Sequence, residues 1–460
     1  MLNIVNPATG KSVKEIQEDT PQSVAEKYKL AKTAQKQWKK SPLSERKAAI
    51  SKFRTLLETH KEDLAQTLTL EVGKPIGQSR NEINGTIGRV DFFLEHFEKT
   101  VETEVVFDEQ KGMQNGMKET IEHEPLGVVA NISAWNYPYF VGSNAFIPAL
   151  LTGNTVLYKP SEYSSLSGLK IAELLHQSGI PKDAFIAIIG KGEIGSAILD
   201  QPINGVFFTG SYPTGKRIAE KVAGKLIKVQ LELGGKDPAY ICDDANPKNA
   251  ADSTSDGAFY NNGQSCCSVE RIYVHEKVYN EFVEHFMTAV KSFKMGAPTE
   301  DSTYLGPLTR EAQIAVIEDQ IKDAVAKGAK VVCGGNRVKG AGNYFEPTVL
   351  VNVNSSMKLM RDESFGPVIG IQSVKDDAEA LKLMNDCDYG LTAGVYTPNE
   401  ARARAILSEV NSGSVYWNCC DRVSPRLPWS GRGFSGIGHT LSTYGIQTFT
   451  QPKAWHLRKV

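Results

Sequence analysis

From residue 126 the chain alternates short apolar runs with helical segments, and this pattern narrows its fold more than any other feature. The runs are 126–132 (LGVVANI), 154–158 (NTVLY), 184–189 (AFIAII), 205–209 (GVFFT) and 227–231 (IKVQL). Segments such as 168–178 and 215–223 lie between them and read as helix. Near-continuous apolar strands separated by helices predict a parallel sheet covered on both faces. Such sheets bind ligands beyond the carboxyl ends of their strands. A second α/β series follows, with helices over 251–260, 278–293, 312–327 and 376–385 and strands over 271–274, 330–333, 345–351 and 394–396. Residues 20–100 predict helices, interrupted at Gly73 and Pro75. The polar segment 102–123 predicts a hairpin standing off the first domain, and 417–438, rich in Gly, Pro, Ser and Trp, predicts loops.

At about 150 residues per domain, a chain of 460 residues makes about three domains. Its 52 basic and 53 acidic residues leave a net charge of −1. That balance gives no electrostatic ground for a nucleic-acid or membrane-surface partner. The seven cysteines are odd in number, include two adjacent pairs and show no zinc-type CxxC spacing. They predict reduced, intracellular thiols and no metal site. The start, MLNIVNPATG, carries no basic and apolar leader, and the most apolar stretch, 140–158, is interrupted by Ser143, Asn144, Pro148 and Asn154. A cytoplasmic location without a membrane span is the expectation.

Four short elements could carry chemistry. In FYNNGQSCCS (259–268) a thiol follows a glycine and small polar residues on a turn between a helix and a strand, a common place for a nucleophile. Two buried structural cysteines are the alternative there. In LELGGK (231–236) a carboxylate ends an apolar strand, and Gly234 and Gly235 permit close backbone approach. In WNYP (135–138), Asn136 offers an N–H donor at a strand end, suited to an oxyanion or simply to a turn. FTGSYPTGKR (208–217) runs from a strand into a helix, where backbone N–H groups can hold a phosphate. Arg217 stands where a Walker loop needs Ser or Thr after Gly215 and Lys216, which excludes a P-loop ATPase.

Together these elements resemble the aldehyde dehydrogenase superfamily, nearly end to end. The resemblance begins at NPATG (6–10) and runs through PLGVV (125–129), WNYP, GNTVLYKPSE (153–162), FTGS (208–211), LELGGK, NNGQSC (261–266), ESFGPV (363–368) and YGLTAGV (389–395). It implies Cys266 as nucleophile, Glu232 as general base and Asn136 as oxyanion donor. It also implies cofactor contacts at Lys159 and Glu162 (adenosine ribose), Gly210 and Ser211 (pyrophosphate), Glu363 and Phe365 (nicotinamide riboside) and Trp135. A thiolate would attack the aldehyde, and a carboxylate base would release an acid from the thioester. NAD is the expected cofactor and NADP a less favoured one, because Glu162 can accept from ribose hydroxyls and would repel a 2′-phosphate.

The implied architecture is α/β: a modified Rossmann cofactor domain (1–101 and 124–231), a second α/β catalytic domain (232–426), a return segment to the cofactor domain (427–446) and a small β oligomerisation element (102–123 and 447–460). A homodimer or homotetramer follows from the same resemblance. The chain departs from the usual pattern at Ser265 and Cys267 beside the nucleophile and at PWSGRGFSGIG (428–438). Cys419, Cys420 and Trp429 are expected near the substrate entrance. Arg422, Arg426 and Arg432 are candidates for a substrate carboxylate, as in succinate semialdehyde, with surface charge as their alternative reading; aliphatic and aromatic aldehydes stay open. The rival functions are a CoA-acylating aldehyde dehydrogenase, a thiol esterase and a catalytically retired member with a structural role. Glu232, the cofactor elements and the intact Cys–Asn–Glu set argue against these in turn.

Overall fold

The computed structural model describes residues 1–109 and 116–459. Four helices, Pro21–Trp38, Leu43–Thr59, Lys61–Val72 and Ile76–Val101, precede the first parallel strand. Thr20 opens the first of them with a capping box to Ser23. Gly73 ends the third in the left-handed region, φ 79°. A Cβ at Gly73 would strike the rings of Pro7 and Pro307, so only glycine lets these three segments meet.

The first parallel sheet runs in the order Gly436–Ile437, Lys228–Glu232, Gly205–Thr209, Val128–Ile132, Thr155–Lys159, Phe185–Ala187. All neighbours pair in parallel except the first two strands. The second orders Lys330–Cys333, Thr348–Val351, Val368–Val374, Val269–His275, Asp237–Ile241, Thr392–Tyr396, Ser414–Trp417, antiparallel only at its Lys330–Cys333 edge. Apolar clusters lie along both sheets, which accounts for strands buried on both faces. Helix Pro138–Leu151 begins with proline and is almost wholly buried, packed on the long helix Ile76–Val101.

Several expectations shift. The run 126–132 becomes a strand only from Val128, because Gly127 sits at φ 132° and its N–H is taken by Asn154 Oδ1. Glu232 is the last residue of a strand in the first parallel sheet. Segment 102–123 supplies the strand Glu104–Asp108 and most of Met117–Pro125; the two pair antiparallel, and Met117–Pro125 also pairs antiparallel with Thr450–Arg458. The tip of that hairpin, 110–115, lies outside the described residues. A short N-terminal hairpin, Leu2–Val5 with Ser12–Ile16, was not legible in the pattern. Among the described residues no helix is long and apolar enough to cross a membrane.

Candidate active site

Cys266 sits on a loop whose backbone no ordinary turn provides. Asn261, Asn262 and Gly263 are consecutive residues at φ 53°, 58° and 68°. Side chains in this region cost roughly 1–2 kcal/mol each, so other bonds must hold them there. Asn262 Nδ2 donates to the carbonyls of Gly306 (2.8 Å) and Pro307 (3.0 Å). Gln264 Oε1 accepts from the Thr309 N–H at 3.0 Å, and its Nε2 returns to the Asn261 carbonyl at 3.1 Å. Gly235 passes so close to the Cys266 carbonyl that a Cβ would collide with it. The asparagines and Gly235 thus fix where the thiol stands.

Asn136 is buried just behind that loop, and its Nδ2 donates to the Gln264 carbonyl at 3.1 Å. Its neighbours are held from the helix Ile76–Val101 and the turn before it. Glu82 Oε1 accepts from the Tyr139 N–H at 2.9 Å, Lys74 forms a fully buried ion pair with Glu82, and Lys74 Nζ lies 3.8 Å from the Tyr137 ring centre. Lys74 and Glu82 escaped the sequence reading. The only signal for them was two charges in a helical region, which ordinarily means solvent.

Glu232 is buried at its strand end. Oε2 accepts from Thr209 Oγ1 at 3.2 Å, and Oε1 accepts from Thr440 Oγ1. Burial raises its pKa above the usual carboxylate range, against the pull of both hydroxyls and of Arg89. Cys266 and Glu232 line one cavity of about 1000 Å³. Cys267 lines it too, but its Sγ donates to Asp421 Oδ1 at 2.9 Å. The adjacent thiol and burial push the Cys267 pKa well up, which keeps it protonated. Cys266 is the more exposed of the pair.

The entrance residues divide. Cys420, Trp429, Arg422 and Arg426 line the cavity, whereas Cys419 does not. Of the two readings left open for Arg432, the structure matches surface charge: it is exposed, pairs through its strand with Gly390 and donates to Asn411 Oδ1 at 3.3 Å, outside the cavity wall. Ser265 lines the cavity, with its hydroxyl 3.4 Å from Cys267 Sγ.

Of the residues expected to hold a cofactor, Trp135, Lys159, Glu162, Gly210 and Ser211 end or follow strands of the first sheet, whereas Glu363 and Phe365 precede the strand Val368–Val374 of the second. Lys159 ends its strand and is 4% exposed; its Nζ donates to the Pro160 carbonyl at 3.2 Å and is 4.0 Å from Glu162 Oε2. Burial lowers its pKa. Ser211 is exposed at the N-terminus of helix Tyr212–Val222, and the Gly210 N–H donates to the Glu232 carbonyl at 3.0 Å. Glu363 accepts from the Gly235 N–H at 3.2 Å, and burial with Glu270 nearby pushes its pKa up to about 8. Phe365, at φ 46°, is held by its N–H to Glu270 Oε1 (2.9 Å) and meets the Trp135 ring edge-on at 5.5 Å. Glu270 also takes the Lys236 ammonium at 2.6 Å. Neither was singled out beforehand.

The aldehyde dehydrogenase family model matches residues 1–455. An aldehyde dehydrogenase of Emericella nidulans is 34% identical, over 99% of this chain and 92% of its own length. The NADP⁺-dependent succinate-semialdehyde dehydrogenase of Escherichia coli is 31% identical, over 98% and 93%. The crystal structure of an NAD-dependent aldehyde dehydrogenase from Sinorhizobium meliloti superposes with a TM-score of 0.94 at 30% identity, over 100% and 91%. A match of this extent, on a chain that brings its GQSC thiol and LELGG carboxylate into one cavity, leaves a single conclusion: the chain belongs to the aldehyde dehydrogenase family.

Proposed function

We propose that the protein oxidises an aldehyde to a carboxylic acid with NAD(P)⁺, through a covalent intermediate on Cys266. The carrying observation is the shared cavity of Cys266 and Glu232, with Asn136 bonded to the loop of the thiol. The Cys266 thiolate attacks the carbonyl carbon and forms a C–S bond. The oxyanion that results takes hydrogen bonds from the Asn136 amide and the Cys266 N–H, once Asn136 turns from the Gln264 carbonyl. A dinucleotide held by Lys159, Glu162 and Ser211, with Glu363 and Phe365 at its nicotinamide end, would supply the hydride acceptor; loss of hydride from the former aldehyde carbon leaves a thioester on Cys266. Glu232 takes a proton from water, the hydroxide adds to the thioester, and the C–S bond breaks with release of the acid. A carboxylate of raised pKa suits that step.

The donor set fits a dinucleotide. Lys159 is a buried cation satisfied by one carbonyl, with N–H groups left for ribose oxygens, and Glu162 is a partly exposed acceptor beside it. Ser211 begins a helix, where anions are favoured. Glu162 supports a preference for NAD⁺ over NADP⁺; relatives of both kinds are similar to the chain. The three-stranded sheet exposes Val105, Phe107 and Trp455, which supports assembly into a homodimer or homotetramer. All seven cysteines are free thiols, which suits the cytoplasm.

The test is NAD(P)H formation with a panel of aldehydes, with and without CoA. Acid production independent of CoA is expected. An absolute requirement for CoA would transfer the assignment to an acylating enzyme, and no turnover with any aldehyde would leave a structural role.

A further inference from the structure

Arg89 has so far appeared only as a distant charge acting on Glu232. It projects from the helix Ile76–Val101 and lines the same cavity as Cys266 and Glu232, yet it is only 5% exposed. Its Nη1 donates to Asn144 Oδ1 at 3.0 Å, and its guanidinium lies 3.9 Å from the Phe140 ring centre. Gly85, one turn earlier, allows that arrangement, because a Cβ there would run into Phe140. No carboxylate among the described residues forms an ion pair with Arg89; Glu232 and Glu82 act on it only at a distance.

The carboxylates that line the cavity are already engaged. Glu82 pairs with Lys74, Asp252 with Lys248, Asp256 accepts from the Tyr304 hydroxyl, Asp421 from the Cys267 thiol, and Glu232 from Thr209 and Thr440. A buried guanidinium with no carboxylate in contact is disfavoured, and a bound anion in the cavity would supply that contact. The planar fork of arginine matches a carboxylate in bidentate fashion. Arg422 and Arg426, exposed on the cavity wall, add positive potential toward it.

We propose that Arg89 anchors a carboxylate at the far end of the aldehyde, so that the enzyme selects semialdehydes of short dicarboxylic acids. This rests on the aldehyde-oxidising reading above and names its substrate class. Asn144 and Phe140 hold the guanidinium in place, and the substrate's own length sets its aldehyde carbon against Cys266.

The experiment compares kcat/KM for succinate semialdehyde, butanal and 4-hydroxybutanal in the wild type, Arg89→Gln and Arg89→Lys. The wild type should favour succinate semialdehyde over both neutral aldehydes by at least tenfold, about 1.4 kcal/mol. Arg89→Gln should bring that ratio close to one, chiefly through a higher KM for the semialdehyde, and Arg89→Lys should restore part of it. Equal wild-type rates for the three aldehydes overturn the anchor while leaving aldehyde oxidation standing. So does an Arg89→Gln variant that loses all three alike, which marks a structural role. A hydroxyaldehyde used as well as the semialdehyde overturns it too. If Arg89→Gln does not fold, the wild-type ratio and its reduction in Arg89→Lys decide. No NAD(P)H from any aldehyde removes the underlying reading and the anchor with it.

Discussion

The Cys267 thiol donates to Asp421 Oδ1 at 2.9 Å, although it lines the same cavity as Cys266. Burial pushes Asp421 up to about 7, and Cys267 is held as a thiol by burial and by its neighbour. A thiol is a poor nucleophile. Cys266→Ser should therefore abolish aldehyde oxidation, whereas Cys267→Ser should retain most of it. Steady-state NAD(P)H formation separates the two, and a dead Cys267→Ser beside an active Cys266→Ser would reverse the assignment.

Burial shifts Glu232 upward, and the base must be deprotonated to take a proton from water. Turnover should therefore fall as pH drops through a pKa above the usual carboxylate range. That acid limb should be absent from the pre-steady-state NAD(P)H burst. A limb identical in burst and turnover would place the group before thioester formation.

Asn136 is expected to serve the oxyanion. Removing a single such donor costs about 10²–10³ in kcat, so Asn136→Ala should lower kcat by that order with a small change in KM. An equal loss of stability and KM, with kcat kept, would assign Asn136 to the Gln264 turn alone.

The Lys74–Glu82 pair is fully buried and braces Tyr137 and Tyr139 on either side of Pro138. Breaking a buried pair from one side costs about 3–5 kcal/mol. Lys74→Met should lower the unfolding free energy by that amount in denaturant titration, and a loss under 1 kcal/mol would show that the pair is not doing this.

Glu162 is the residue proposed to favour NAD⁺. The wild type should show a higher kcat/KM with NAD⁺ than with NADP⁺, and Glu162→Ser should narrow the gap. Equal values before mutation would contradict the role.

What was legible in the chain followed from local pattern. The strand Gly205–Thr209 fell where the apolar run placed it, and Cys266 and Glu232 were marked by their motifs and by positions at element ends. What stayed hidden came from long range. Arg89, Glu82 and Lys74 reach the site from a helix and turn far away in sequence, where charges read as a solvated face. The three arginines of the tail could not be told apart in the sequence, because nearness of Arg432 to Arg426 along the chain says nothing about which way its short strand turns. The left-handed run at Asn261–Gly263 was hinted at by its residue types, but the carbonyls of Gly306 and Pro307 that hold it lie on another loop.

The central claim is a covalent acyl group on Cys266 that Glu232 hydrolyses. Mass spectrometry of Glu232→Gln quenched after mixing with aldehyde and NAD⁺ tests it most directly. The account predicts about one acyl group per chain on the peptide containing Cys266, formed together with a matching burst of NADH. An NADH burst with no acyl group on the protein, or an acyl group mapped to Cys267, would contradict it.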